Sequence, residues 1–184
     1  MKKFFMIAGV IMAMVMVVQP TYAAQKTFSI SVTIAEFSME LLESDTLQPY
    51  MDWEITVPPG GAITMTAMDA VMVSLTGDLP TSIDILTSVD NQDGWIPMEP
   101  DPLVPLVDNE FILETVAVDV KPLDLMGLPG FIPITHDKQH VFNIDNNAGL
   151  PAAAAWLIYR FHAGPHYNTP ATALDIKVEA LPGM

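Results

Sequence analysis

The chain has 184 residues, 51% of them hydrophobic, with a formal net charge of −15 and no cysteine. The charge argues against nucleic acid and against anionic membrane surfaces as electrostatic targets. The lack of cysteine excludes thiol and iron–sulfur chemistry and leaves the fold to be stabilised by its core. The acidic residues stand singly among apolar ones, so the composition predicts a folded acidic domain and not a disordered acidic tail.

Residues 1–23 read as a secretory signal peptide. Lys2 and Lys3 form a basic start, Phe4 to Val18 is an unbroken apolar run, and Gln19-Pro20-Thr21-Tyr22-Ala23 supplies a breaker and a small-residue end. The apolar run is shorter than the ~20 residues a membrane-spanning helix needs, so cleavage after Ala23 is expected and no membrane span in the remainder. Beyond that point only Lys26, Lys121, Lys138, Arg160 and Lys177 are basic, against all 22 acidic residues. A remainder of about 160 residues is the size of one domain and buries roughly two-thirds of its unfolded surface.

Strand signals then follow in chain order. Thr27 to Ile34 alternates polar and apolar without error, and Asp52 to Val57 repeats the pattern before a Pro58-Pro59-Gly60-Gly61 turn. Ala62 to Met68 and Ala70 to Leu75 are expected as strands, with Val71, Val73 and Leu75 on one face. Thr76 to Pro80 is a break, Ser82 to Ile85 resumes the alternation, and Asp90 to Gly94 is a turn after which Trp95 and Ile96 begin a short strand. Prolines at 97, 100, 102 and 105 make Met98 to Pro105 an extended crossover loop. Glu110 to Val118 is the next strand, Lys121 to Ile134 a Gly- and Pro-rich loop, His140 to Ile144 a strand, Asp145 to Gly149 a turn, and Leu174 to Ala180 the last strand.

The segment Pro151 to Pro165 carries conflicting signals. Proline at its start and Gly164-Pro165 at its end suit a helix, whereas the crowding of Trp156, Leu157, Ile158, Tyr159 and Phe161 suits a strand. The strand reading is preferred, and such a strand, apolar on both faces, needs cover from a loop of the same chain or from another subunit. Short strands at roughly 8–12-residue spacing indicate an all-β fold: a single Ig-like or jelly-roll β-sandwich, mostly antiparallel, over residues 24–184.

This layout resembles uncharacterised secreted bacterial β-sandwich proteins. The likeness rests on the leader, the opening alternating strand, Trp53, a glycine turn, Val71-Met72-Val73-Ser74-Leu75-Thr76-Gly77 through Ile85, Gly94-Trp95, Phe111-Ile112-Leu113 and a closing strand. More distantly it is similar to surface fibre subunits of the camelysin and TasA kind. Leu75 stands where an asparagine closes the corresponding strand of that pattern. The resemblance implies a structural or interaction role outside the cytoplasm of a bacterium, with no catalytic residues to carry over.

Clustered polar residues supply the candidate sites. Asp90, Asn91 and Asp93 surround a glycine turn and are the candidate calcium ligands, since calcium takes oxygen donors and tolerates irregular loops; Asp145-Asn146-Asn147 is a second oxygen cluster. Both are also ordinary Asx-rich turns. Asp52 and Glu54 project from one side of Trp53, an arrangement read as a solvated face and not as a glycosidase pair. His136, His140, His162 and His166 form two pairs of spacing four. On a strand such a pair spans ~13 Å, too far to share an ion, so zinc would require the two pairs to meet.

No nucleophile elbow, phosphate loop or dinucleotide motif is present, and no enzyme activity or other cofactor is expected. The favoured expectation is an exported structural protein of the cell surface, extracellular matrix or periplasm, possessing itself or other surface proteins as partners. The alternative is a carbohydrate- or ligand-binding module using Tyr50, Tyr159 or Tyr167 as stacking platforms. A hydrolase assembled from His140, His162 and scattered acids ranks third.

Overall fold

The computed structural model describes residues 37–89, 94–166 and 174–183, together with the backbone alone of Asp90 and Asn91. Every regular element among them is a strand: β1 (Phe37–Glu43), β2 (Ala62–Thr64), β3 (Val71–Gly77), β4 (Ser82–Asn91), β5 (Ile96–Pro97), β6 (Glu110–Val118), β7 (Ile132–Ile134), β8 (Gln139–Asp145), β9 (Ala152–Ala163) and β10 (Asp175–Pro182). They build two sheets. The larger runs β1-β3-β9-β6-β5, with β2 also on β9 and β7 also on β6; the smaller runs β10-β4-β8. All pairings are antiparallel except β5 with β6.

Period-2 side-chain alternation fixes which face of each strand meets the core. Val71, Val73 and Leu75 of β3, Phe111 and Leu113 of β6, and Leu157, Tyr159 and Phe161 of β9 turn inward from the large sheet. Ile83, Ile85 and Val89 of β4 do so from the small one, as do Val141 and Ile144 of β8, which reach one face because the β4–β8 ladder shifts register between Ile85 and Leu86; all belong to one apolar cluster. Trp95, Phe111 and Phe161 pack ring against ring there, with centroids 5.6–6.2 Å apart. One oddity sits in this core. Among the described residues neither Tyr159 Oη nor Thr87 Oγ1 makes a hydrogen bond of good geometry; burial pushes the Tyr159 phenol far up, and the neighbouring Thr87 hydroxyl offsets only part of that. An unsatisfied buried hydroxyl costs on the order of 1–3 kcal/mol. Tyr159→Phe is therefore expected to leave stability unchanged or raise it by about 1 kcal/mol, read as an increased urea midpoint at constant m-value; a loss of that size would mean that the hydroxyl has a partner.

Several expected elements differ from the observed ones. Asp52 to Val57 is not a strand: it is extended, with Trp53, Ile55 and Val57 turned to the core and Asp52, Glu54 and Thr56 exposed, but no ladder partner lies beside it among the described residues. Prolines 49, 58 and 59 bracket it and cannot donate to a ladder. The strand expected over Ala62 to Met68 ends at Thr64, because the Asp69 carboxylate accepts from both the backbone N–H and the hydroxyl of Thr66 and closes a turn. That turn steps the chain from one stretch of the β9 edge to the next, so β2 and β3 pair with the same strand in succession.

The Lys121 to Ile134 loop contains β7 at its end, and the crossover loop begins at Met98 as expected, just after Pro97 pairs with Phe111 at the sheet edge. The alternating stretch Phe37, Met39, Leu41 forms β1, which the sequence reading passed over. The Pro151 to Pro165 ambiguity resolves as strand β9, twelve residues long. Part of its outer face is covered from the same chain: the Arg160 guanidinium carbon lies 4.3 Å from the centroid of the Phe131 ring. The Thr27 to Ile34 strand and the signal peptide lie outside the described residues.

The Pro58-Pro59-Gly60-Gly61 turn forms as expected. Gly61 N–H donates to the Pro58 carbonyl at 2.8 Å and Gly60 adopts φ +69°, the left-handed value that a type II turn requires at its third position.

Candidate functional site

Among the described residues the large sheet's central strands bury one charged side chain, and it lies on the face turned away from the shared core. Glu114 sits in β6 amid Phe111, Leu113, Val116 and Ala117, and its side chain is 7% exposed. The register of β6 on β9 places Arg160 directly opposite Glu114 and His162 opposite Ile112, all on the outer face of the sheet. Arg160 Nε donates to Glu114 Oε2 at 2.7 Å, and His162 Nε2 lies 3.2 Å from the same oxygen. A buried carboxylate is tolerable when it is paired and hydrogen-bonded. Here one oxygen takes both partners, and Phe131 stacks over the guanidinium.

Beside His162 the surface dips into an open depression of about 310 Å³ lined by Gly60, Gly61, Leu106, Ile112, His162, Ala163 and Pro165. Its floor is the end of β9, and Gly164 ties it together: Gly164 N–H donates to the Glu110 carbonyl at 2.9 Å, and the Gly164 carbonyl accepts from Gly60 N–H at 2.7 Å. Leu106 joins it to the 98–109 loop, whose Leu103, Val104 and Val107 are exposed, Leu103 to 88%. An open, shallow and mostly apolar dip suits a protruding side chain better than an enclosed small molecule.

Of the sequence-derived candidates, His162 takes part in this site. Asp93 and the side chains of Asp90 and Asn91 lie outside the described residues. In the second oxygen cluster the Asn146 carboxamide is spent on Leu150, accepting from its N–H at 2.9 Å and donating to its carbonyl at 3.1 Å, while Asp145 Oδ1 accepts from Asn147 N–H. It is an Asx turn whose oxygens hold the chain. Asp52 and Glu54 are exposed beside a half-buried Trp53.

His140 is in the small sheet and bonds Asp84 at 3.1 Å, whereas His162 is in the large sheet and bonds Glu114. The two pairs thus use separate carboxylates, and among the described residues no three His, Asp or Glu side chains converge as a metal site. Tyr159 is in the core and offers no stacking platform. Tyr50 is half-buried, its phenol pushed up to about 12 by burial and then by the charges of Asp69, Glu43 and Asp52. Tyr167 lies outside the described residues.

Surface carboxylates on the small sheet set an acid limit. A hydrogen bond from Asn143, and secondarily His140, holds Asp84 below its ordinary range, and Lys138 and Lys177 do the same for Glu179. A folded-state pKa below the unfolded one contributes stability that is present above the unfolded value and lost as pH falls through the folded one. Stability is therefore expected to decline from about pH 4 downward, and Asp84→Asn to make that decline shallower in a series of melting temperatures against pH.

The Glu114, Arg160 and His162 constellation escaped the sequence reading. Its only signals are a lone acid inside the apolar run Phe111 to Val118 and two basic residues at i and i+2 in the Trp156 to Ala163 run. Comparison with family models, curated proteins and solved structures finds no match to this chain.

Proposed function

We propose that the chain is an exported structural or interaction protein of a bacterial surface or matrix, built on a β-sandwich of Ig-like or jelly-roll type and assembling by strand addition. The observation that carries this reading is the edge of the small sheet. Among the described residues β8 pairs with β4 only, along seven residues that include no lysine and a single charged residue, Asp145, at the end. Natural sheets usually guard such edges with charge, proline or cover. An alternating, apolar-faced segment is the complement that an open edge takes up, and Thr27 to Ile34 is such a segment, four residues beyond the expected cleavage site. The signal-like leader supports export. A sugar-stacking role has less support, since Tyr159 is in the core and Tyr50 is half-buried.

Residues 35–184 hold the shared core as one compact unit, which permits a direct test. Chains beginning at residue 24 and at residue 35 are compared by sedimentation velocity and electron microscopy, with and without calcium. The longer chain is expected to form oligomers or filaments that a peptide of residues 24–34 caps, and the shorter one to remain monomeric. A strictly monomeric longer chain over a wide concentration range would overturn the proposal.

A further inference from the structure

The depression beside His162 has one titratable lining side chain, and that imidazole already spends Nε2 on Glu114. The remaining walls are Leu106, Ile112, Ala163, Pro165 and glycine backbone whose N–H groups are bonded elsewhere, Gly60 to the Gly164 carbonyl and Gly61 to the Pro58 carbonyl. Apart from the second His162 ring nitrogen, the lining is apolar or has its N–H groups already bonded, so the depression fits an apolar side chain. The adjoining loop shows what surrounds that side chain. From Gly94 to Leu113 the sequence holds Glu99, Asp101, Asp108 and Glu110 and no lysine, arginine or histidine, so the loop that exposes Leu103, Val104 and Val107 carries acidic charge only.

The loop is also held in shape. Asp101 Oδ1 accepts from Leu103 N–H at 2.8 Å, Glu110 Oε2 accepts from Val107 N–H at 2.8 Å, and Asn109 N–H donates to the His166 carbonyl at 3.0 Å. Such anchoring lowers the ordering cost of binding. The second exposed apolar loop, with Leu123 and Met126, differs: Lys121 stands within it, paired to Asp45.

We propose that the 98–109 loop and the depression beside His162 form a docking site for a cationic, apolar segment of another protein. An apolar side chain of the partner seats against Leu106 and Ile112, and flanking lysines or arginines face the loop carboxylates. An apolar centre with a charged rim is the usual anatomy of such an interface. A second copy of this chain is a poor occupant, because it brings the same negative charge, and like charges across an interface are repelled. The site is separate from the β8 edge, so it stands or falls independently of strand addition.

The test titrates the purified protein calorimetrically with a terminally blocked peptide of alternating leucine and lysine. Leucine–glutamate and serine–lysine peptides serve as controls. Expected is saturable binding of the first alone, weakening as salt rises. The E99Q/D101N/D108N variant should bind roughly tenfold more weakly, as several surface ion pairs together would give. L103S/V104S should bind more weakly too, and L123S/M126S should bind as the parent does. All these substitutions are at exposed positions, and circular dichroism confirms the fold.

Equal binding of the leucine–glutamate peptide, or insensitivity to both loop variants, would overturn the proposal. So would a change in the protein's own sedimentation in L103S/V104S, which would make the occupant a second copy. Loop-dependent binding to neutral phosphatidylcholine vesicles would make it a lipid surface and would likewise overturn the proposal.

Discussion

Gly164→Ala is expected to destabilise the protein by about 2–3 kcal/mol, near the upper end for forcing atoms into a packed site. A methyl group at this position would lie 2.5 Å from the Val107 carbonyl oxygen and 2.7 Å from that of Glu110. Both are backbone atoms, so neither can swing aside as a side chain would. They belong to the turn whose Glu110 N–H donates to the Val107 carbonyl, and Gly164 itself bonds the Glu110 carbonyl and Gly60 N–H. Relief therefore requires the β6 entry to part from the end of β9, breaking hydrogen bonds in a buried place. Chemical denaturation should show a lower midpoint, and amide exchange at Gly60 and Gly164 should quicken most. Gly130 offers the control: no atom lies within 4 Å of the position a β-carbon would take, and its φ is not left-handed. Gly130→Ala should be neutral or stabilise by about 0.4–1 kcal/mol by restricting the unfolded chain. If the two substitutions cost the same, the close approach at Gly164 is not what fixes the loop.

The same close approach shows what a single sequence conveys and what it withholds. Strands β3, β6, β8, β9 and β10 were legible because alternation or β-branched and aromatic crowding reports on faces, and faces are a local property. Asp52 to Val57 exposes the limit. Its alternation correctly turns Trp53, Ile55 and Val57 to the core, yet the backbone has no ladder among the described residues, since burial of alternate side chains says nothing about where N–H groups go. For β1 the pattern Phe37, Met39, Leu41 is present, but Leu42 breaks the alternation after five residues and leaves a short signal.

The candidate site was less accessible still. Glu114 and Arg160 are 46 residues apart and meet only because β6 and β9 pair in one particular register; a slip of one residue would turn Glu114 to the opposite face from Arg160. The Asx turn at Asn146 illustrates the converse. Oxygen-rich turn residues were readable as turn or as calcium cluster, and only the placement of Leu150 shows that the carboxamide is consumed by backbone.

Removing the Glu114 carboxylate is the second substitution with a large expected effect, and it separates pairing from packing. Breaking a fully buried ion pair costs about 3–5 kcal/mol. Arg160 is 35% exposed at its side chain, so solvent recovers part of its charge and the expected loss in Glu114→Ala falls to about 2–3 kcal/mol. The loss combines a hydrogen-bond acceptor taken from Arg160 and His162 with a void between Phe131 and the sheet. If the pair serves mainly to satisfy its own charges, replacing both members with apolar side chains of similar length should recover most of the stability. Glu114→Leu combined with Arg160→Met is therefore expected to unfold at a denaturant concentration close to that of the parent, while Glu114→Leu alone, which strands the guanidinium, stays well below it. A double-mutant cycle reads the coupling directly. Additive losses would show that Arg160 is held by Phe131 and solvent and owes little to Glu114. Strong coupling would instead identify the register of β6 on β9 as the feature that the buried charge specifies, because only in that register do Glu114 and Arg160 face each other.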